Sequence, residues 1–507
     1  MKTKFKVFQL ILLTLFLNIL CYNNFAADIN NTNDPFYKQV LTAANPNIDV
    51  EHYSIEIDLR EFTFCDFTQK LPISITLRIR ARKEIQSVYL HFNTQAVLNL
   101  AITNNESNIV LPFMAYSYLN NPHYKYIEIP LSEILKKDHW IELHFQYQYD
   151  LNQVQSLPFG GYYSSVLMCQ WSSRHKQFYL NPYAYGFRSI FPSNDSLEDA
   201  ATVEYKILVP KDFIVAANGY LVATNSNSAQ LITGAPLPEG GLLFHWKMNQ
   251  PISTSVMSFI VTESPPGNVF IFDPIVVKGA KIPFFYFAPN ADYSYEIVKQ
   301  QLNWVHKVTQ FMEDHIAPYP FADAKIAFTQ GQGGMEYASI VHSRPHNALH
   351  EHLHNWWGNT VRPKHFGDGW ISEGFTTYFE TVVEDQKEQY DHLNPSVKNN
   401  ANCYKLNGNP SSVNLIYDAG AICLHSLRLL IAEVSGLDFF SIQEKEVFFN
   451  FYRDYFSKFQ FQALDSKDFV NFVKESVPLL LAKSNLFYDE RKWVDRLSEW
   501  EKCWFEW

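Results

Sequence analysis

The stretch His350-Glu351-His352-Leu353-His354 puts two imidazoles four residues apart, with a carboxylate beside the first. On a helix, residues four apart lie one turn away on the same face, so His350 and His354 can aim at one point while Glu351 projects next to it. Neutral imidazole nitrogens ligate Zn2+, and a catalytic zinc site takes three protein ligands and leaves a fourth position for solvent. Glu373, in Trp370-Ile-Ser-Glu-Gly-Phe-Thr-Thr-Tyr-Phe-Glu380, is the third candidate. Eighteen residues intervene between it and His354, which suits a helix end, a turn and a second helix returning across the first. His350, His354 and Glu373 are therefore the predicted ligands of a single Zn2+, with Glu351 projecting beside it. The competing reading is a helix with exposed histidines, and Glu373 at this separation weighs against it. His352 points elsewhere and is read as solvated or packed.

Those side chains need helices to hold them, and the chain supplies helical spacing only in its second half. After Pro289-Asn290-Ala291-Asp292, residues Ile297, Leu302, Val305, Val308 and Phe311 share one face of a long amphipathic helix. Further helices are predicted over 349–358, 373–387, 419–435 and 466–474, with Pro318, Pro320, Pro363 and Pro395 as breaks. Upstream, from Val50 to Phe287, apolar and polar residues alternate, as in His52-Tyr-Ser-Ile-Glu-Ile-Asp-Leu59, Ile73-Ser-Ile-Thr-Leu-Arg-Ile-Arg80 and Ile141-Glu-Leu-His-Phe-Gln-Tyr147. That period marks half-buried sheets. Turn signals at Asn120-Asn121-Pro122, Gly160-Gly161 and Pro265-Pro266-Gly267 separate them. The expected fold class is α+β and multidomain, with a β-rich half over 28–289 and a mainly helical half over 290–507.

A chain of 507 residues exceeds one ordinary core, so two or more domains are the default. Hydrophobic residues at 47% and charged residues at 18% match a folded globular protein. The net charge of −11, with no Lys/Arg block beyond the first residues, gives nucleic-acid binding no electrostatic support. Lys2, Lys4 and Lys6, an apolar run from Phe8 to Leu20 and polar residues before Ala26 and Ala27 have the layout of a signal peptide over 1–27. The run is shorter than the roughly 20 residues that cross a bilayer, so export with cleavage is expected over a membrane anchor. Cys65, Cys169, Cys403, Cys423 and Cys503 then remain, with no Cys-x-x-Cys pair, which excludes a cysteine zinc site and a dithiol motif. One or two disulfides and scattered buried thiols both fit that set.

At this point the sequence resembles the aminopeptidase N family of zinc peptidases, which includes the leukotriene hydrolase type. The resemblance rests on Gly333-Gly-Met-Glu-Tyr337, His350-Glu-His-Leu-His-Asn-Trp-Trp-Gly-Asn359, Trp370-Ile-Ser-Glu-Gly-Phe-Thr-Thr-Tyr378 and Tyr417-Asp-Ala-Gly-Ala421. Phe191-Pro-Ser-Asn-Asp195 and Ala217-Asn-Gly219 extend it into the β half. It implies a saddle-like β domain on a thermolysin-like zinc peptidase domain, with the active site between them. Members often add a large helical C-terminal domain, and too few residues follow Tyr417 to build one, so a two-domain form with a more open site is implied.

Carried over residue by residue, the resemblance makes His350, His354 and Glu373 the zinc ligands and Glu351 the general base. Tyr417 becomes the donor to the oxyanion, Glu336 the partner of the substrate's α-ammonium, and Gly333 and Gly334 the places where substrate backbone lies close. The implied activity is an exported aminopeptidase acting on peptides with a free amino terminus. No nucleic acid is involved, and the membrane is met only through the N-terminal segment if it stays uncleaved; nothing in the sequence signals an oligomeric state. Three departures bear on amine recognition: Tyr337 replaces the commoner Asn, and Asn181 and Tyr183 stand where many members place Gln and Glu. The amine pocket is then expected to hold one carboxylate. Ser193 replaces a frequent Cys after Phe-Pro. Two alternatives stay open: another hydrolase on the same zinc site, of endopeptidase or epoxide hydrolase type, and a non-catalytic binding module on a peptidase fold.

Overall fold

A computed structural model describes residues 44–505, apart from 64–65, 67, 118–124, 157–166, 172–175, 183–185, 223–234, 239, 264–268, 278–279, 288–294, 329–333, 345–346, 385–405, 407–414 and 487. The signal-peptide segment 1–27, Tyr183, Gly333 and the three quoted turn signals lie outside the described residues.

Alternation becomes sheet as the sequence predicts. Ile48–Asp58 buries Tyr53, Ile55 and Ile57, and Lys70–Ala81 buries Ile73, Ile75, Leu77 and Ile79. The two pair antiparallel at the centre of a nine-stranded sheet. On its other edge Ile48–Asp58 pairs in parallel with Ala200–Val209, which in turn pairs with Leu242–Ser253. Trp140–Asp150 extends the sheet beyond Lys70–Ala81. A four-stranded sheet places Phe259–Glu263 between Phe213–Ala217 and Lys176–Leu180.

A third sheet straddles residue 289. Val269–Val277 and Ala280–Phe287 form a hairpin, and Ala280–Phe287 pairs in parallel with Ala324–Phe328. A parallel pair needs a long crossover, and helix α1, Tyr295–His315, provides it. Its buried residues Val305, Val308 and Met312 recur at helical spacing. Ile340–Ser343 follows Ala324–Phe328 in parallel, and the two-residue strand Gly334–Met335 closes the edge.

The remaining helices are α2 (Ala348–Leu353), α3 (Glu373–Glu384), α4 (Gly420–Ser435), α5 (Ile442–Phe459), α6 (Ser466–Lys483) and α7 (Glu490–Trp504). Helix α2 is shorter than the spacing predicts, because the chain turns after His354 to reach Gly358 at φ +117. Helix α6 is longer and runs through Pro478, since Val473, Val477, Leu480 and Leu481 continue its buried face. Helices α5 and α7 were not anticipated. The first is dense in Phe and Tyr, residues that favour strands, and the second buries only a narrow stripe, Trp493, Leu497, Trp500 and Trp504. Both start at caps the sequence does carry: Ser441 accepts from Glu444 N and Asp489 from Lys492 N.

Buried apolar residues of the two halves form one continuous cluster. Polar groups cross the seam as well. Arg362 Nε donates to Leu197 O at 2.9 Å, and Lys325, buried against Asp323, donates to Gly219 O. Cys423 is a buried free thiol, whereas Cys503 is disulfide-bonded. Among the described residues, no helix is long and apolar enough to cross a membrane.

Candidate metal centre and active site

Helix α2 carries His350, and His354 caps its end; their Nε2 atoms face each other at 3.1 Å. Glu373, the first residue of α3, sets its Oε2 3.2 Å from His350 Nε2 and 3.1 Å from His354 Nε2. Two local facts make that meeting possible. Trp357 packs between Phe375 and Phe379 of α3, so the turn after α2 is clamped to the helix bearing Glu373. At Gly358 an added Cβ would fall 2.2 Å from Ser372 Oγ and 3.1 Å from His354 Nδ1, so only glycine lets the chain pass under the His354 ring.

The outer nitrogens decide which atoms are free to bind a cation. His350 Nδ1 lies 3.0 Å from Glu380 Oε2. A carboxylate only accepts, so the proton sits on Nδ1 and Nε2 keeps its lone pair. His354 Nδ1 donates to Trp357 O at 2.9 Å, with the Thr376 and Ser372 hydroxyls at 3.0 and 3.1 Å. Three lone-pair atoms thus converge on one point. Tetrahedral ligands with bonds of about 2.0–2.1 Å stand about 3.3 Å apart, close to the spacing found, and the two-imidazole, one-carboxylate set is that of catalytic zinc. The three residues are also a group among the described ones that can hold a metal ion.

The electrostatics agree. Burial acts to raise the Glu373 carboxyl, yet the His354 charge and the hydrogen bonds from His350 and His354 hold it well below the carboxylate range. Burial acts to lower His354, but the facing Glu373 outweighs it and lifts the imidazole to about 9. Burial pushes Glu351 up to about 8, against the pull of His350 and His354. It raises Glu336 too, with His354 opposing and Glu373 reinforcing. With no metal bound, protons on the inward imidazole nitrogens balance Glu373, and a divalent cation bound there would take the place of those protons.

Glu351 is buried next to the ligands, and its carboxyl fills the space where Gly334 lacks a side chain: a Cβ there would lie 2.2 Å from Glu351 Oε1. The absent side chain of Gly334 thus makes room for the protein's own carboxylate. Tyr417 sits in a π-type turn, Leu415–Ala419, its ring stacked on His350 at 5.8 Å between centroids and 27°. Backbone contact brings it there. A Cβ on Gly374 would fall 2.7 Å from Gly420 Cα, so α3 and the start of α4 touch without side chains between them. Glu336 follows the edge strand, its carbonyl held by Asn359 Nδ2 at 2.7 Å. His352 is packed, stacked on Tyr319 at 5.4 Å and bound through Nε2 to Thr309 Oγ1 at 2.8 Å; burial pushes it down to about 3.

Sequence reasoning missed Glu380, Asn355 and Asn359. Glu380 carried a usable signal, since it follows Glu373 by two helical turns and shares its face. Asn355 accepts from Ser339 N at 3.0 Å, a contact no local spacing announces.

In comparisons with known proteins, residues 343–415 match the model of the peptidase family M1 domain. Leucine aminopeptidase 2 of Aspergillus oryzae is 23% identical over 333 residues, covering 62% of this chain and 51% of the fungal protein. Human aminopeptidase N is 23% identical over 290 residues, covering 52% of this chain and 28% of the human one. The chain thus spans about half or less of these curated relatives. Among solved structures, a variant of a two-domain M1 zinc metallopeptidase bound to L-tryptophan matches with a TM-score of 0.67 at 18% identity, over 90% of this chain and 95% of that one. The expected β-rich domain followed by a mainly helical one is the fold observed.

Two outcomes test the centre. Glu380→Ala removes the acceptor that orients His350 and is expected to weaken zinc binding about 10- to 100-fold in a chelator competition. Gly334→Ala displaces the Glu351 carboxylate; zinc content stays unchanged while turnover falls at least about tenfold, since a positioned base contributes about 10²–10⁴.

Proposed function

For a chain that carries an M1 peptidase domain on the fold of the M1 zinc metallopeptidases, we propose a zinc aminopeptidase that removes single residues from the free amino ends of peptides. The observation that carries this reading is the convergence of His350, His354 and Glu373 at 3.1–3.2 Å beside a buried Glu351. Zinc at these ligands supplies a water acidified from 15.7 toward about 7 and a Lewis acid for the scissile carbonyl. Glu351, buried beside the ligands, takes the proton of the attacking water and returns it to the leaving amine. The Tyr417 phenol, beside His350, donates to the oxygen that gains charge. Glu336 faces the same imidazoles from the sheet edge and pairs with the α-ammonium, which limits cleavage to the first peptide bond. The names of the two relatives, both aminopeptidases, support this choice over an endopeptidase. The segment 1–27, with Lys2, Lys4 and Lys6 before its apolar run, directs export in this reading.

The decisive comparison is a free-amine aminoacyl substrate against its N-acetyl form: cleavage confined to the free amine, abolished by chelation and restored by zinc, is expected. Equal rates on both would sink the amine-anchor role of Glu336. Glu351→Gln is expected to keep zinc and lose nearly all turnover, and loss of the metal would show that Glu351 is a ligand instead. Tyr417→Phe is expected to lower kcat by about 100- to 1,000-fold with little change in KM, and an unchanged kcat removes Tyr417 from the mechanism.

A further inference from the structure

Glu336 can measure substrate from its amine only if its distance to the metal ligands is fixed, yet it stands on a different element from α2 and α3. The three residues after it are gripped by the β half of the molecule. Tyr337 is fully buried, and its hydroxyl donates to Oδ1 of the buried Asn181 at 2.6 Å, across 156 residues of sequence. Asn218 Nδ2 donates to Ala338 O at 2.6 Å, Ala338 N donates to Val256 O at 3.3 Å, and Gly219 N donates to Ser339 Oγ at 2.8 Å. Ser339 is held at φ 59, a left-handed conformation that a non-glycine residue keeps only when its surroundings impose it. The metal-bearing half contributes Asn355 to Ser339 N and Asn359 to Glu336 O.

Only one of these ties comes from a side chain adjacent to Glu336. The hydroxyl is the sole polar atom of the Tyr337 side chain, and a buried hydroxyl must find a partner. Asn181 supplies it from the end of the strand Lys176–Leu180, in the other half of the molecule. Removing the hydroxyl leaves Asn181 Oδ1 without that donor in a buried place and removes one of the ties between the β half and the turn, the one made by the side chain next to Glu336.

We propose that the Tyr337–Asn181 hydrogen bond is a positioning contact for amine recognition: through it the β half sets the reach of Glu336 to the metal ligands and so determines the preference for a free amino end. The contact acts through Glu336, and the proposal rests on the aminopeptidase reading given above.

The test uses the full zinc-loaded chain, with L-leucine p-nitroanilide and its N-acetyl form as substrates. Tyr337→Phe and Asn181→Ala are each expected to raise KM about three- to tenfold, the span of one lost hydrogen bond, with kcat within about twofold. Zinc content and thermal midpoint serve as controls for folding. The readout that separates positioning from mere structure is the double variant: Tyr337→Phe added to Glu336→Gln is expected to change KM no further, because the group it acts through is already gone. L-Leucinamide titrated into the Glu351→Gln protein is expected to show the same weakening when Tyr337→Phe is added. An unchanged KM in Tyr337→Phe, or the same rise with and without Glu336→Gln, overturns the proposal and leaves the aminopeptidase reading standing. Equal hydrolysis of the free and acetylated substrates by the unaltered chain overturns the amine-anchor reading, and this proposal falls with it.

Discussion

Three electron pairs that repel one another are held within 3.2 Å, and much of the helical half exists to keep them there. Nε2 of His350, Nε2 of His354 and a Glu373 oxygen share this space only with a positive charge between them, a proton or a metal cation. The cost is met by structure around the site: the proton of each imidazole is committed outward, to Glu380 and to Trp357 O, so the inward nitrogens have one role left. Burial sharpens this arrangement, because charges taken from water interact strongly with whatever faces them.

Close backbone approach is the second device. Gly358 lets the chain run beneath His354, Gly334 lets Glu351 lie against the edge strand, and the Gly374–Gly420 contact draws the Tyr417 turn onto the helix of Glu373. Each glycine stands where a Cβ would meet a catalytic group, a ligand or the backbone of a neighbouring helix. The aromatic packing of Trp357, Phe375, Phe379 and Tyr455 then makes these approaches rigid.

The β half does more than cover the site. Asn181 and residues 218–219, just past two of its strands, and Val256, in the 3-10 turn after a third, all bond to the turn that follows Glu336. The residues proposed as metal ligands and base thus belong to one half, while the turn that carries Glu336, the proposed amine partner, is braced by the other. Lys325, buried against Asp323 and bonded to Gly219 O, and Arg362, bonded to Leu197 O, hold the same seam.

Whatever depends on neighbours within one or two turns was legible in the residues themselves. The four-residue spacing of His350 and His354, the alternation of Ile73, Ile75, Leu77 and Ile79, and the stripe Val305, Val308 and Phe311 are local regularities, and the backbone converts each directly into one face of a helix or sheet. Tertiary structure alone decided the rest. That Glu380 fixes a tautomer, that Glu351 occupies the space beside Gly334, that strands on either side of residue 289 share a sheet, and that Tyr337 meets Asn181 are matters of chain segments far apart in sequence brought together by folding. Helices α5 and α7 belong with them, since strand-favouring aromatics and a narrow apolar stripe become helical when a core is there to receive them. Spacing specifies a face, but only a closed core specifies what that face meets.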